Sequence, residues 1–363
     1  MPRQPRLDAP GILQHVMARG IERRLIFVDD QDRKDFLARF AQILEETQTQ
    51  CYAWALIPNH FHLLIRTGQT PLSAVMRRLM TGYAVSFNHR HRRVGHLFQN
   101  RYKSVVCEEN TYLLELIRYI HLNTLRAKLV SDMNALDVYP WTGHSTLMGN
   151  CKNPLIPGVA TTQNSTPKTQ NSHTDVPAPV LSLAEKTVDD VLRRFGETIE
   201  EARINYRDFV EKGIALGKRP EFQGGGLIRS MGGRKAAFIE LKKGNVEKCD
   251  QRILGSGNFV NMTLEQSDKI LEKKYLPKRP IEEVIEIVGQ SLGISQSMIC
   301  SGSRLKNISN ARALVSYFAV EIVGHSLSDV ARVLEVKRVS VREAVPKGKI
   351  IISNYPLMMS KII

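Results

Sequence analysis

The segment "CYAWALIPNHFHLLIRT", Cys51 to Thr67, constrains this chain more than any other. It is apolar enough to be buried along its length, yet Pro58-Asn59 interrupts it with a dipeptide that favours a turn. Two strands folded back through that turn are the simplest reading. Strand side chains alternate with period two, so His60 and His62 share one face while Phe61 and Leu63 enter the core on the other. Buried imidazoles are costly without partners. Spacing alone leaves two readings open, a pair of core histidines or a chelating pair for a metal ion.

The flanking pattern extends the sheet. "GILQHVMARG" reads as a first strand ending at Gly20. Asp29 and Asp30 can cap a helix through "DRKDFLARFAQILEETQ", with Phe36, Phe40, Ile43 and Leu44 as its apolar stripe. Thr70-Pro71 starts a second helix carrying Leu72, Val75, Met76, Leu79, Tyr83 and Phe87 at helical spacing. "GHLFQNRYKSVVC" gives a loop and a further strand, and Asn110 or Thr111 opens a third helix, "YLLELIRYIHLNTLRAKL". The order β-α-β-β-α-β plus a helix predicts an α+β fold over residues 1–150, a ferredoxin-like antiparallel sheet with helices on one face.

Beyond this domain the composition changes. Residues 151–180 are rich in Asn, Thr, Ser and Pro without periodicity and read as a flexible linker. Residues 181–262 read as a helical region interrupted by "EFQGGGLIRSMGGRK". That stretch lacks GxxxxGK[ST], so it is a loop with a close backbone approach and not a phosphate-binding loop. Residues 263–363 predict a helix-turn-helix DNA-binding domain. There Ser326 or Ser328 caps "SDVARVLEV", and "RVSVREAV" is the recognition helix. Pro346 is expected to stop that helix early.

Charge narrows the partner. The chain of 363 residues carries a formal net charge of +15, and Thr47 to Cys107 contains no Asp or Glu. At the chain's acidic fraction of 36 in 363, about six would fall in those 61 residues. The stretch holds Arg66, Arg77, Arg78, Arg90, Arg92, Arg93, Arg101 and Lys103, which predicts a polyanionic partner such as nucleic acid. His89 and His91, set among Arg90, Arg92 and Arg93, read as part of a phosphate-contacting loop. Tyr83 and Tyr102 read as packing or base-stacking groups. Five scattered cysteines form no CxxC pair, which argues against a thiolate zinc site and fits a reducing compartment. There is neither an apolar run of membrane-spanning length nor an apolar N-terminal leader, so the expectation is a cytoplasmic protein without a membrane partner.

On the third helix Tyr119 and Asn123, four residues apart, share a face, while His121 turns away. Turned toward the histidine pair, they would set a nucleophile beside a cation; Tyr112 is the rival nucleophile, but Leu116 stands where its amide partner would be.

Residues 11 to about 146 resemble the HUH single-strand DNA transposases, in particular the REP-associated tyrosine transposases. The matching segments are "MARGIERRLIF", "AWALIPNHFHLLI", "GHLFQNRYKS", "LIRYIHLNTLRAKLV" and "YPWTGHS". The resemblance implies that His60, His62 and Asn123 hold Mg²⁺ or Mn²⁺ and that Tyr119 attacks the scissile phosphate of single-stranded or hairpin DNA. Thr124 and Lys128 depart from the family, which usually has proline and often glycine there. More weakly, Pro280 to Lys347 resembles the DnaA-type helix-turn-helix, which implies that Lys337, Arg338, Ser340 and Arg342 face duplex DNA. Three functions compete: a tyrosine transposase acting as monomer or homodimer, a DNA-binding regulator without turnover, and a metal phosphodiesterase for small substrates. The acid-free basic tract favours a polymer over the last.

Overall fold

The apolar segment forms a hairpin. In this computed structural model, which describes residues 7–158, 181–217, 219, 222, 250, 252–275, 278–355, 358, 359 and 362, β1 spans Leu13–Arg19, α1 Asp30–Thr47, β2 Gln50–Ile57 and β3 His60–Arg66. Then follow α2 (Leu72–Arg90), β4 (Lys103–Cys107), α3 (Glu109–His121) and the short α4 (Asn123–Arg126), α5 (Met133–Asp137) and α6 (Gly143–Leu147). Asp29 caps α1 by accepting from the Asp32 amide. The Pro58-Asn59 turn is in place, but Asn59 is absent from the left-handed residues, contrary to the usual attraction of asparagine to that conformation.

The sheet runs β2-β3-β1-β4-β5. All pairs among the first four strands are antiparallel. β5 (Ile253–Leu254) is a two-residue strand parallel to β4, so the sheet is mixed. Nothing in its sequence marks it; it is held by its neighbours, Ile253 packing with Val106 and Val260. The fold class is the expected α+β arrangement, but the helices do not all lie on one face as expected: α1 and α2 leave the histidine face uncovered, and α3 fills it. The stripes of α1 and α2 pack on the face carrying Val16, Phe61, Leu63 and Ile65. Helix α3 packs on the opposite face, with Leu13, Ala55 and Leu64. That face also takes residues from α7 (Leu183–Leu192) and α8 (Ile199–Lys212). A capping box between Ser182 and Glu185 opens α7.

The chain divides into two compact units, Met1–Asp268 and Lys269–Ile363. Residues 159–180 of the expected linker and nearly all of the glycine-rich stretch lie outside the described residues. Helix α9 (Gly257–Tyr275) follows β5.

The second unit is helical: α10 (Ile281–Leu292), α11 (Gln296–Ile299), α12 (Lys306–Tyr317) continued by a π turn over Phe318–Ile322, α13 (Leu327–Val333) and α14 (Arg338–Ile351). Ser326 caps α13 by accepting from the Asp329 amide. Helix α14 does not end early: it continues past Pro346 to Ile351. The proline removes one backbone bond and no more, because the helix is held by packing on α12. Gly348 is buried, and a Cβ there would collide with the Ala313 carbonyl and Tyr317, so its backbone rides directly on α12.

Candidate active site

The two histidines lie as period two requires, on the face covered by α3. His62 is buried and His60 half-buried, with ring centroids 5.2 Å apart and planes at 74°. Burial lowers the His60 pKa to about 4, aided by Arg19, and holds His62 well below its ordinary value. Both imidazoles are therefore neutral near pH 7, the form that binds metal. His60 Nδ1 lies 2.6 Å from Asn59 Oδ1 and His62 Nδ1 lies 2.9 Å from His15 Nε2. Metal-binding histidines characteristically use one ring nitrogen for such a partner and the other for the ion.

Tyr119, on α3, reaches the same place. Its ring centroid is 6.3 Å from that of His62 and 6.0 Å from that of His15, edge-on in both cases. The tyrosine is 4% exposed. Phe222 packs on it at 5.2 Å, and the Arg126 guanidinium lies over its ring at 5.1 Å while donating to its backbone carbonyl. Tyr112 instead packs toward Phe222 at 6.4 Å. Of the two tyrosines, the structure brings Tyr119 to the pair.

Asn123 opens α4, two residues past the end of α3. Leu122 between them, at φ −70° and ψ −8°, keeps the helical path, since its amide donates to Arg118 and its carbonyl accepts from Arg126. The Asn123 amide nitrogen is buried with no hydrogen-bond partner among the described residues. Those residues contain no group of three or more His, Cys, Asp or Glu side chains able to hold a metal. A metal at this pair would need a different third donor; a carboxamide can supply one only through its oxygen, and the orphaned atom of Asn123 is its nitrogen.

The sequence reading passed over His15. It stands on β1, fully buried, on the same face as the pair, stacked on His62 with planes at 25° and centroids 5.2 Å apart. Its Nδ1 donates to the Phe222 carbonyl at 2.7 Å, and burial lowers its pKa to about 4. The only signal in the sequence was its place in "LQHVMAR", where period two sets it opposite Val16.

A second buried network lies further along. His121 Nδ1 is 2.7 Å and His144 Nδ1 3.0 Å from the Tyr206 hydroxyl, and His144 donates from Nε2 to Asp137 at 2.8 Å. Arg207 donates to the other Asp137 oxygen. This network ties α8 to α3, α5 and α6, and nothing in the spacing of these residues announces it.

The basic residues differ in their commitments. Arg66 is paired with Glu109, Arg78 with Glu46, and Arg90 with Asp29 and Asp32. His91 also contacts Asp32, and Arg93 lies over Phe87 at 5.7 Å and donates to Asn88. Arg77, Arg92, Arg101, Lys103 and His89 are exposed. Arg77, His96, Phe98, Arg101 and Tyr102 line a groove of about 840 Å³ between α2 and the loop before β4. Tyr83 is a core residue in the cluster under α1 and α2. In the second unit Lys337, Arg338, Ser340 and Arg342 are all exposed around the start of α14.

Residues 10–123 match the family model described as "Transposase IS200 like", and residues 281–347 that described as "Bacterial dnaA protein helix-turn-helix". The chromosomal replication initiator protein DnaA of Thermosipho africanus (strain TCF52B) is 34% identical over 110 residues, 28% of this chain. The chain spans 25% of that relative's length. A solved structure of a REP-associated tyrosine transposase bound to a REP hairpin is 14% identical with a TM-score of 0.35, covering 47% of this chain and 100% of its own. The two family models find again both resemblances read from the sequence. No helix among the described residues is long and apolar enough to cross a membrane.

Proposed function

We propose that the first unit cuts and rejoins single-stranded DNA near hairpins by metal-assisted transesterification, with Tyr119 as nucleophile. The observation that carries this reading is the meeting of Tyr119 with His62 across the sheet face, 6.3 Å between ring centroids, inside the segment that matches a transposase family. His60, His62 and Asn123 would hold Mg²⁺ or Mn²⁺, with Mn²⁺ better suited to two imidazoles. When bound, the ion supplies polarisation of the scissile phosphate. The phenol oxygen of Tyr119 attacks phosphorus, the 3′-oxygen leaves, and the 5′-phosphate remains on the tyrosine until the reverse step rejoins a strand. Arg126, over the tyrosine ring, favours negative charge on the phenol oxygen as its proton departs. Arg77, Arg92, Arg101 and Lys103 would contact phosphates of the incoming strand, with Arg78, Arg90 and Arg93 contributing only if released from their partners. Lys337, Arg338, Ser340 and Arg342 would place the second unit on duplex DNA. The protein would act in the cytoplasm, as a monomer or a homodimer.

One observation favours a DNA-binding regulator without turnover: Tyr119 is buried beneath Phe222. Protein, Mn²⁺ and a labelled hairpin oligonucleotide, resolved on a denaturing gel, separate the two. A covalent adduct that disappears in Tyr119→Phe supports the transposase; tight binding with no adduct in the wild type supports the regulator.

A further inference from the structure

His15 lies outside the pair that would hold the ion, yet its hydrogen bonds decide which nitrogen of His62 carries the lone pair. The Phe222 carbonyl has no proton to give, so His15 must carry its own on Nδ1 to make their 2.7 Å contact. His15 is wholly buried with no carboxylate among its hydrogen-bond partners, so the ring stays neutral and its Nε2 is an acceptor. That Nε2 is 2.9 Å from His62 Nδ1. His62 must therefore donate from Nδ1, and its own lone pair is left on Nε2. Asn59 does the same for the partner: its Oδ1 accepts from His60 Nδ1 at 2.6 Å, leaving His60 Nε2 basic. The two imidazoles of "HFH" thus present the same nitrogen, each fixed by a separate acceptor.

We propose that His15 is a positioning residue of the metal site: by accepting from His62 Nδ1–H it locks His62 in the tautomer whose Nε2 is available to the ion. This role rests on the metal reading of the pair given above. Without the acceptor, the proton of His62 can move to Nε2 and block the coordinating atom. The anchor for the arrangement comes from far along the chain, since His15 is itself held by the carbonyl of residue 222.

The test begins with the full-length, metal-free protein labelled with ¹⁵N-histidine. Long-range ¹H–¹⁵N spectra assign each ring's tautomer, and His62 is expected only in the Nδ1–H form. In His15→Phe, which keeps a planar ring and removes the acceptor, an Nε2–H signal should emerge for His62. Mn²⁺ affinity, read by electron paramagnetic resonance of free Mn²⁺, should fall about 10- to 100-fold, the usual effect of losing such a partner. His15→Gln, whose side-chain oxygen can accept from Nδ1–H, should recover most of that loss. Wild-type His62 protonated on Nε2 overturns the proposal without any variant. A folded His15→Phe with wild-type Mn²⁺ affinity overturns the role of His15 alone. No Mn²⁺ binding by the wild type overturns the metal reading and this role with it.

Discussion

Replacing Tyr206 with Phe removes one oxygen and orphans two nitrogens. The hydroxyl lies between His121 and His144, all three residues being 0% exposed. Asp137 accepts from His144 Nε2–H, so neutral His144 accepts on Nδ1 from the tyrosine, whose oxygen in turn accepts from His121 Nδ1–H. The proton order is fixed from one end. Each buried polar atom left without a partner costs about 1–3 kcal/mol, and two of them give a loss of about 2–6 kcal/mol for Tyr206→Phe. No solvent can enter to compensate, and the ring itself is retained, so no cavity term is added. Urea unfolding followed by tryptophan fluorescence isolates the effect. The chain's two tryptophans, Trp54 and Trp141, both lie in the first unit, so the second unit is silent. The midpoint should drop while the slope stays constant. A change below about 0.5 kcal/mol would refute the view that this hydroxyl ties α8 to the sheet domain, since surface substitutions do as much.

Other outcomes follow from other features. His15, His121 and His144 are each shifted below their ordinary values by burial. The unfolded chain binds their protons more readily, so their contribution is complete above about pH 6.5 and falls as pH drops below it. For His15, held at about 4, the loss should be about 1.4 kcal/mol per pH unit between those values; equal urea midpoints at pH 7 and 5.5 would contradict this. Lys128 has φ +57°, the left-handed conformation that explains why glycine is common at its position in the resembling family. Lys128→Gly should be neutral or stabilising by up to ~1 kcal/mol, and Lys128→Val should lower the melting temperature. Pro346→Ala restores an amide inside α14, so hydrogen exchange at residues 342–351 should slow; unchanged protection would mean that the proline costs this helix nothing.

Much of the first domain was legible because period two and period 3.6 both run through it cleanly. The hairpin, the stripes of α1 and α2, and the shared face of His60 and His62 follow from spacing. Tyr119 was separable from Tyr112 by the amide four residues on. The side of the sheet chosen by α3 was not legible, since a helix following the last strand can cross either face, and here the histidine face was the one left uncovered by α1 and α2. His15 and Tyr206 were missed because their partners are 207 and 85 residues away in the chain. A buried imidazole reads locally like any polar residue on a strand. Pro346 does not end α14 because the packing of Gly348 on α12 outweighs the local preference of proline.

The acid-free tract acquires its carboxylates in three dimensions. Glu46 and Asp29 and Asp32 come from α1 and its cap, and Glu109 from α3, to neutralise Arg78, Arg90 and Arg66. These arginines act as internal ties, and their counterions are covalent parts of the chain. They release no ions to bulk water when a strand arrives. Under the proposed function, and among the described residues of this tract, the exposed Arg77, Arg92 and Arg101 are the arginines placed to displace cations from a single strand. At about 0.7 of an ion per phosphate contact, their share of the first unit's affinity should fall with roughly the second power of salt concentration. Eight basic residues all at work would more than double that exponent, so the domain's grip on DNA should endure in salt that strips a more openly charged surface.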